Sequence, residues 1–261
     1  MIGTLYIVAT PIGNLDDITF RAVDTLKSVD VILAEDTRHS KRLLNHYDLK
    51  TELRAFHEHN EKHKTQAVIA ELLEGKNMAL ISDAGTPLIS DPGYVLVREA
   101  KKSGVVVSPI PGASAMISAM SAAGIASDQF GFFGFLPNKQ TARIKAIQAI
   151  AHSDQSVIFY ESPKRILACA YDLQSVLGDE RIVCFAKELT KSFETINTDT
   201  LPNLINYLEA DPAHQKGEFV ILISSIDKDN KVAGEEQLDT ILPILLTEMG
   251  ASKAAKLAAK I

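Results

Sequence analysis

Three short stretches of this chain combine residue types that let a backbone close around a small ligand. Thr10-Pro11-Ile12-Gly13-Asn14 follows one apolar run. Ser82-Asp83-Ala84-Gly85-Thr86-Pro87 follows another and continues through Ser90-Asp91-Pro92-Gly93. Pro109-Ile110-Pro111-Gly112-Ala113-Ser114-Ala115 follows a third. Glycine permits close approach and positive φ, and proline stiffens a loop before the ligand arrives. Asp83 offers a carboxylate to an amino or hydroxyl group. Ser114 and Ala115 open a helix whose free amides suit a carboxylate or other acceptor. One such bend reads as a well-made turn; three at the ends of strands predict a cleft. No phosphate loop, Gly-x-Gly-x-x-Gly fingerprint or Gly-x-Ser-x-Gly elbow accompanies them.

The elements that must hold these bends alternate in type. Residues 4–9, 31–34, 78–81 and 105–107 read as buried strands, and 19–29, 40–47, 61–74, 92–103 and 113–123 as helices. Pro92 is placed in the first turn of its helix. Beyond a break at 124–129, strands are expected at 130–135, 156–160, 181–186, 193–198 and 218–224. Helices fall between them, at 140–151, 163–177 and 201–210. The fold class is therefore α/β, in two α/β domains (1–123 and 124–226). A polar linker over 227–236 and a short helical tail complete the chain to 261.

With 261 residues, 46% apolar and 23% charged, the chain suits a self-sufficient globular protein. No apolar run is long enough to predict a membrane span. Met1-Ile2-Gly3-Thr4 lacks the charged and apolar regions of a secretory signal. Cys169 and Cys184 fall in apolar patterns and read as buried free thiols, which together predicts a cytoplasmic protein. The net charge of −6 is not that of a general nucleic-acid binder, so any RNA contact must come from local basic clusters.

The stretch from Leu5 to Thr19, Leu-Tyr-Ile-Val-Ala-Thr-Pro-Ile-Gly-Asn-Leu-Asp-Asp-Ile-Thr, resembles the opening of the small-subunit ribosomal RNA methyltransferase I family of the tetrapyrrole-methylase superfamily. Glu35-Asp36-Thr37-Arg38, Ser82 to Pro87, Pro111 to Ala115, Phe159 to Pro163, Glu188 to Lys191 and Lys216-Gly217-Glu218 follow in the family's order. The resemblance covers almost the whole chain. It implies S-adenosyl-L-methionine bound between two α/β domains, 2′-O-methylation of a cytidine in the decoding region of 16S ribosomal RNA, and a homodimer. Members of the family usually continue beyond Ala258-Ala259-Lys260-Ile261, which puts RNA contact through the tail in doubt.

The family pattern carries cofactor contacts onto Pro11, Asp83, Thr86, Ser114, Ala115, Tyr160 and Gly217. A ribose hydroxyl is a poor nucleophile near neutral pH, so a base or cationic neighbour is expected. Glu35, Asp36, Arg38, Lys187 and Glu188 are the candidates in cleft-facing loops. Lys187 or Glu188 is expected to assist the hydroxyl, with Asp36 and Arg38 orienting the ribose-phosphate. Structural ion pairs would explain the same residues.

His57, His59 and His63 alternate with Glu58 and Glu61, but not as His-Glu-x-x-His, and no metal is expected. Basic clusters at Arg38-His39-Lys41-Arg42, Lys139-Arg143-Lys145, Lys164-Arg165 and Lys253-Lys256-Lys260 are candidate RNA contacts, the first three on the cleft rim. Two other readings remain: a tetrapyrrole or protein-residue methyltransferase of the same fold, and a non-catalytic RNA-binding assembly factor.

Overall fold

The computed structural model describes residues 1–226, 243–247 and 249–258. Strands β1 (Thr4–Val8), β2 (Val31–Ala34), β3 (Glu52–Ala55), β4 (Met78–Ile81) and β5 (Val106–Ile110) form one sheet in the order β3-β2-β4-β1-β5. Every neighbouring pair is parallel. The chain winds from β1 to one side, returns to β4 and ends at β5 on the other side. Its order therefore reverses beside β1, and a crevice opens at the carboxyl ends there.

Parallel strands need crossover helices, and here these are α1 (Phe20–Ser28), α2 (Thr37–His46), α3 (Glu58–Leu73) and α4 (Tyr94–Lys102). β2 and β4 are buried at every residue because both sheet faces are covered. Leu33, Met78 and Leu80 pack with Leu72 and Leu96 on one face. Ile32, Ala79 and Ile81 pack with Leu26 and Leu44 on the other.

A second sheet contains β6 (Phe130–Phe135), β7 (Ser156–Glu161), β8 (Ile182–Lys187), β9 (Thr195–Thr200) and β10 (Phe219–Ile223), in the order β6-β7-β10-β8-β9. Only β6 and β7 pair in parallel; β10 runs antiparallel to both neighbours. Helices α6 (Gln140–Ile150), α7 (Ile166–Leu177) and α8 (Leu201–Ala210) cover one face. The other face receives α5 (Ala115–Ala122) from the first half. Ala119 and Met120 pack there with Ile158, Cys184, Val220 and Leu222. Both cysteines are free and buried.

Several expected elements are displaced. β3 had no counterpart in the sequence reading, because an edge strand of four residues with two charged side chains leaves little apolar signal. Helix α4 begins at Tyr94, with Pro92 outside it. The buried carboxylate of Glu61 accepts the N–H groups of Gly93, Val95 and Leu96 at 3.1, 3.0 and 3.3 Å, and this fixes where the helix starts. β9 lies two residues later than expected.

Two expected RNA-facing arginines are structural. The Arg143 guanidinium is buried and bonds Asp172 at 2.6 Å. Arg165 bonds the buried Glu161 at 2.7 Å. The linker at 227–236 lies outside the described residues. The tail contributes α9 (Ala251–Ala258), on which Ala254 is buried and Lys253 is exposed. Among the described residues no helix is long and apolar enough to cross a membrane, and no cluster of three His, Cys, Asp or Glu side chains is arranged for a metal.

Candidate active site

The bends after β1 and β4 are bound to each other. Thr10 N–H donates to the Gly85 carbonyl at 2.9 Å, and Gly85 N–H returns to the Thr10 carbonyl at 3.0 Å. The Thr10 hydroxyl donates to the Ser82 carbonyl at 3.2 Å. Thr86 then reaches the third bend, its hydroxyl donating to the Ala113 carbonyl at 3.1 Å. The three bends form one stitched surface.

The second half meets this surface closely. The Thr190 hydroxyl accepts from Asn14 N–H at 3.1 Å. A Cβ at Gly13 would lie 2.9 Å from the Leu189 carbonyl and 2.5 Å from Lys191 Cγ, so only glycine fits the contact. Five described residues other than glycine hold a positive φ. Four of them, Leu88, Ser90, Glu188 and Thr190, sit in the two loops that bring residues 89–91 and 189–191 to the cleft. Such backbone is costly and persists where packing enforces it.

Between the halves lies a cavity of about 530 Å3. Its walls include Ile12 from the first bend, Asp83 and Thr86 from the second, Ser114 and Ala115 from the third, and Tyr160 across from them. Burial pushes the Tyr160 hydroxyl above its usual value, and the Met116 backbone in the first turn of α5 acts in the opposite sense. A second hollow of about 360 Å3 adjoins it and shares Ile12, Asp83, Ala84 and Glu218. Pro11 lines this second hollow, together with Gly13, His39, Arg42 and Lys191.

The larger cavity is acidic. Glu35, Asp83, Asp91, Glu161 and Glu218 all contribute to its lining. Burial, and then the neighbouring Glu35 charge, pushes the Asp91 carboxyl up to about 6. Burial, and then Asp83, raises Glu35. Asp83 is itself oriented by Asp36, whose N–H donates to Asp83 Oδ1 at 3.1 Å. The Ser82–Pro87 bend therefore presents negative charge to anything bound there.

Of the cofactor residues expected from sequence, Asp83, Thr86, Ser114, Ala115 and Tyr160 are brought together around the larger cavity. Pro11 faces the adjoining hollow, and Gly217 lines neither. Gly217 takes φ +92°, and a Cβ there would lie 2.4 Å from Glu188 Cγ, so its place is to let Glu188 pack beneath the Glu218 turn.

The four expected catalytic residues line neither hollow. Lys187 is buried and its ammonium donates to the Ala213 carbonyl at 2.7 Å. Glu188 accepts from Lys191 Nζ at 2.8 Å and from Glu218 N–H at 3.0 Å. Burial acts to raise the Glu188 carboxyl, but these two donors outweigh it and hold it below the usual range. Asp36 caps α2 by accepting from Arg38 N–H at 2.8 Å, and the Arg38 guanidinium, 90% exposed, pairs with it at 3.4 Å. Asp91 escaped the sequence reading as a functional residue. Its signal was its place between Ser90 and Pro92-Gly93, in the continuation of the second bend.

Known proteins agree with this architecture. The sequence model of the tetrapyrrole (corrin/porphyrin) methylases matches residues 4–205. A protein of Haemophilus influenzae called ribosomal RNA small subunit methyltransferase I is 50% identical over 260 residues, covering 99% of this chain and 92% of that protein. Its namesake in Vibrio cholerae is also 50% identical, covering 98% and 89%. The crystal structure of a diphthine synthase superposes with a TM-score of 0.65 at 16% identity, over 85% of this chain and 90% of that one, which speaks to the fold alone. On this matching of sequence along nearly its whole length, the chain belongs to the tetrapyrrole methylases and, among them, to the ribosomal RNA small subunit methyltransferase I family.

Proposed function

We propose that this chain transfers a methyl group from S-adenosyl-L-methionine to the 2′-hydroxyl of a cytidine in the decoding region of small-subunit (16S) ribosomal RNA, in the cytoplasm and as a homodimer. The observation that carries this reading is an acid-walled cavity at three stitched bends, in a chain half identical to proteins named for small-subunit ribosomal RNA methylation. Its volume falls within the usual range for small-ligand sites, roughly 300–1,000 Å3. The fit to the donor is electrostatic as well as steric. Glu35, Asp83 and Asp91 suit an ammonium and a sulfonium, and the α5 amino terminus at Ser114 and Ala115 suits a carboxylate.

When bound, the donor supplies a methyl group on a positively charged sulfur, so the S–C bond breaks toward sulfur as the O–C bond forms and the hydroxyl proton leaves. The protein's part is chiefly positioning, through bends fixed before any ligand arrives. Asp91, a lining carboxylate pushed up to about 6, takes the proton in this reading. Glu188 acts as a positioning residue that braces the Gly217–Glu218 turn, Lys187 holds the Ala213 carbonyl ahead of it, and Asp36 and Arg38 set the start of α2. The homodimer draws support from the family resemblance and from exposed apolar side chains on the first half, Val106 on edge strand β5 and Ile117 on α5.

The test is transfer of labelled methyl from S-adenosyl-L-methionine to small ribosomal subunits that lack the modification. Label in the RNA supports the reading. Label only in ribosomal protein, or donor binding without transfer, would replace it with a protein methyltransferase or an assembly factor.

A further inference from the structure

The two adjoining hollows differ in their balance of charge. The larger is lined by five carboxylates and no cation, whereas the smaller shares only Asp83 and Glu218 of these and adds Lys191 and, from α2, His39 and Arg42. Both α2 side chains are exposed, and among the described residues neither has an acidic partner. Of the basic clusters legible in the sequence, this one keeps an unpaired arginine on a hollow. Arg143 and Arg165 are held by internal carboxylates, and Arg38 by Asp36.

The backbone adds to this. Ile12 and Gly13 both line the smaller hollow, and among the described residues their N–H groups have no acceptor. Successive free amides beside a cation are a setting for an anion. Lys191 also lines the hollow, but Glu188 and Glu218 hold its ammonium at 2.8 and 2.9 Å, so Arg42 is the available charge.

Resting on the methyl-transfer reading above, we propose that the smaller hollow seats the ribose and phosphodiester of the methylated nucleotide, with Arg42, His39 and the Ile12 and Gly13 amides as the phosphate's donors. The shared wall of Ile12, Asp83 and Ala84 then sets the ribose hydroxyl beside the donor's methyl. A cationic donor then faces the carboxylates of the larger cavity, while the anionic phosphate meets His39 and Arg42 on the α2 side of the smaller one. This also answers how a chain of net charge −6 receives RNA: attraction is concentrated at one phosphate next to the reacting atom.

The test uses the full chain and unmodified small ribosomal subunits, comparing wild type with Arg42→Glu, Arg42→Ala and the His39→Ala/Arg42→Ala pair. Exposed Lys27 on α1, which lines neither hollow, is the control as Lys27→Ala. Subunit binding is followed across a salt series, with calorimetric titration of S-adenosyl-L-methionine as the check on folding. The proposal predicts that Arg42→Glu weakens subunit binding about tenfold or more and lowers the salt slope by about 1, while donor affinity stays within about twofold. Methyl transfer then shows a raised KM for subunits with kcat largely kept. Wild-type affinity and slope in the Arg42 variants would overturn the proposal, and so would an equal loss in Lys27→Ala, which would mean diffuse attraction. If wild type itself neither binds nor methylates subunits, the methyl-transfer reading fails and this proposal with it; an active wild type with indifferent Arg42 variants sinks this proposal alone.

Discussion

The Asp36 N–H donates to Asp83 Oδ1 at 3.1 Å, joining the ends of β2 and β4 at the cavity wall. One carboxylate oxygen thus holds a neighbouring loop while the group's charge faces the ligand space. The two roles separate by substitution. Asp83→Asn keeps an acceptor oxygen and removes the charge, and should weaken donor binding about tenfold with little loss of stability. Asp83→Ala also leaves the Asp36 amide without its partner, and should lower stability further by about 1 kcal/mol. Calorimetry and denaturant unfolding distinguish the two.

Asp91 gives the site a pH dependence of definite sign. Its carboxyl titrates at about 6, above the usual aspartate range, because of burial and then Glu35. As a base it works only when ionised, so transfer should rise through pH 6 and level off above it. Asp91→Asn should remove that limb and most of the rate.

Linkage gives the opposite sign for folding. A carboxyl whose folded value is raised binds protons more tightly in the native state, so it detracts from stability as pH rises from about 4 to about 6 and above. Asp91→Asn should therefore raise the melting temperature at pH 7 while lowering activity. Arrival of a cationic donor should also release protons near pH 6, measurable as buffer-dependent binding heats. S-adenosylhomocysteine, with a neutral sulfur, should release fewer.

Glu61 tests the frame behind the second bend. Its Oε1 accepts three amides where α4 begins, just after Asp91. Glu61→Ala should cost about 2–3 kcal/mol, since bonds to a charged acceptor are among the stronger ones and the Gly93 and Leu96 donors lie buried. Denaturant midpoints measure it. Donor affinity should fall too, because Ser90 and Asp91 lose their anchor.

Gly13 tests the contact between the halves. Any side chain there meets the Leu189 carbonyl and the Thr190 and Lys191 side chains at under 3 Å. Gly13→Val should cost about 1–3 kcal/mol through overpacking and weaken both donor and subunit binding. An unchanged affinity for both ligands would mean that this contact does not shape the site.

The sequence was legible where one residue type has one physical use. The alternation of apolar runs and helical periods gave both sheets save β3, and glycine, proline and aspartate at strand ends gave Asp83, Ser114 and Ala115 on one cavity, to which the family resemblance added Thr86 and Tyr160. It was silent where meaning depends on distant partners. Arg143 and Arg165 read as surface cations, yet each is held by a carboxylate that only folding brings near. Lys187 read as a group in a cleft-facing loop just after a strand, but it ends β8 and the Ala213 carbonyl takes its ammonium. β3 was missed because Glu52 and Arg54 mask a strand at the sheet edge.

The most direct measurement is nucleotide-resolution mapping of the methyl group after the protein acts on unmodified small subunits with S-adenosyl-L-methionine. A single 2′-O-methylcytidine in the decoding region is the predicted result. Methylation of a base, of another region, or of no RNA at all would contradict the account.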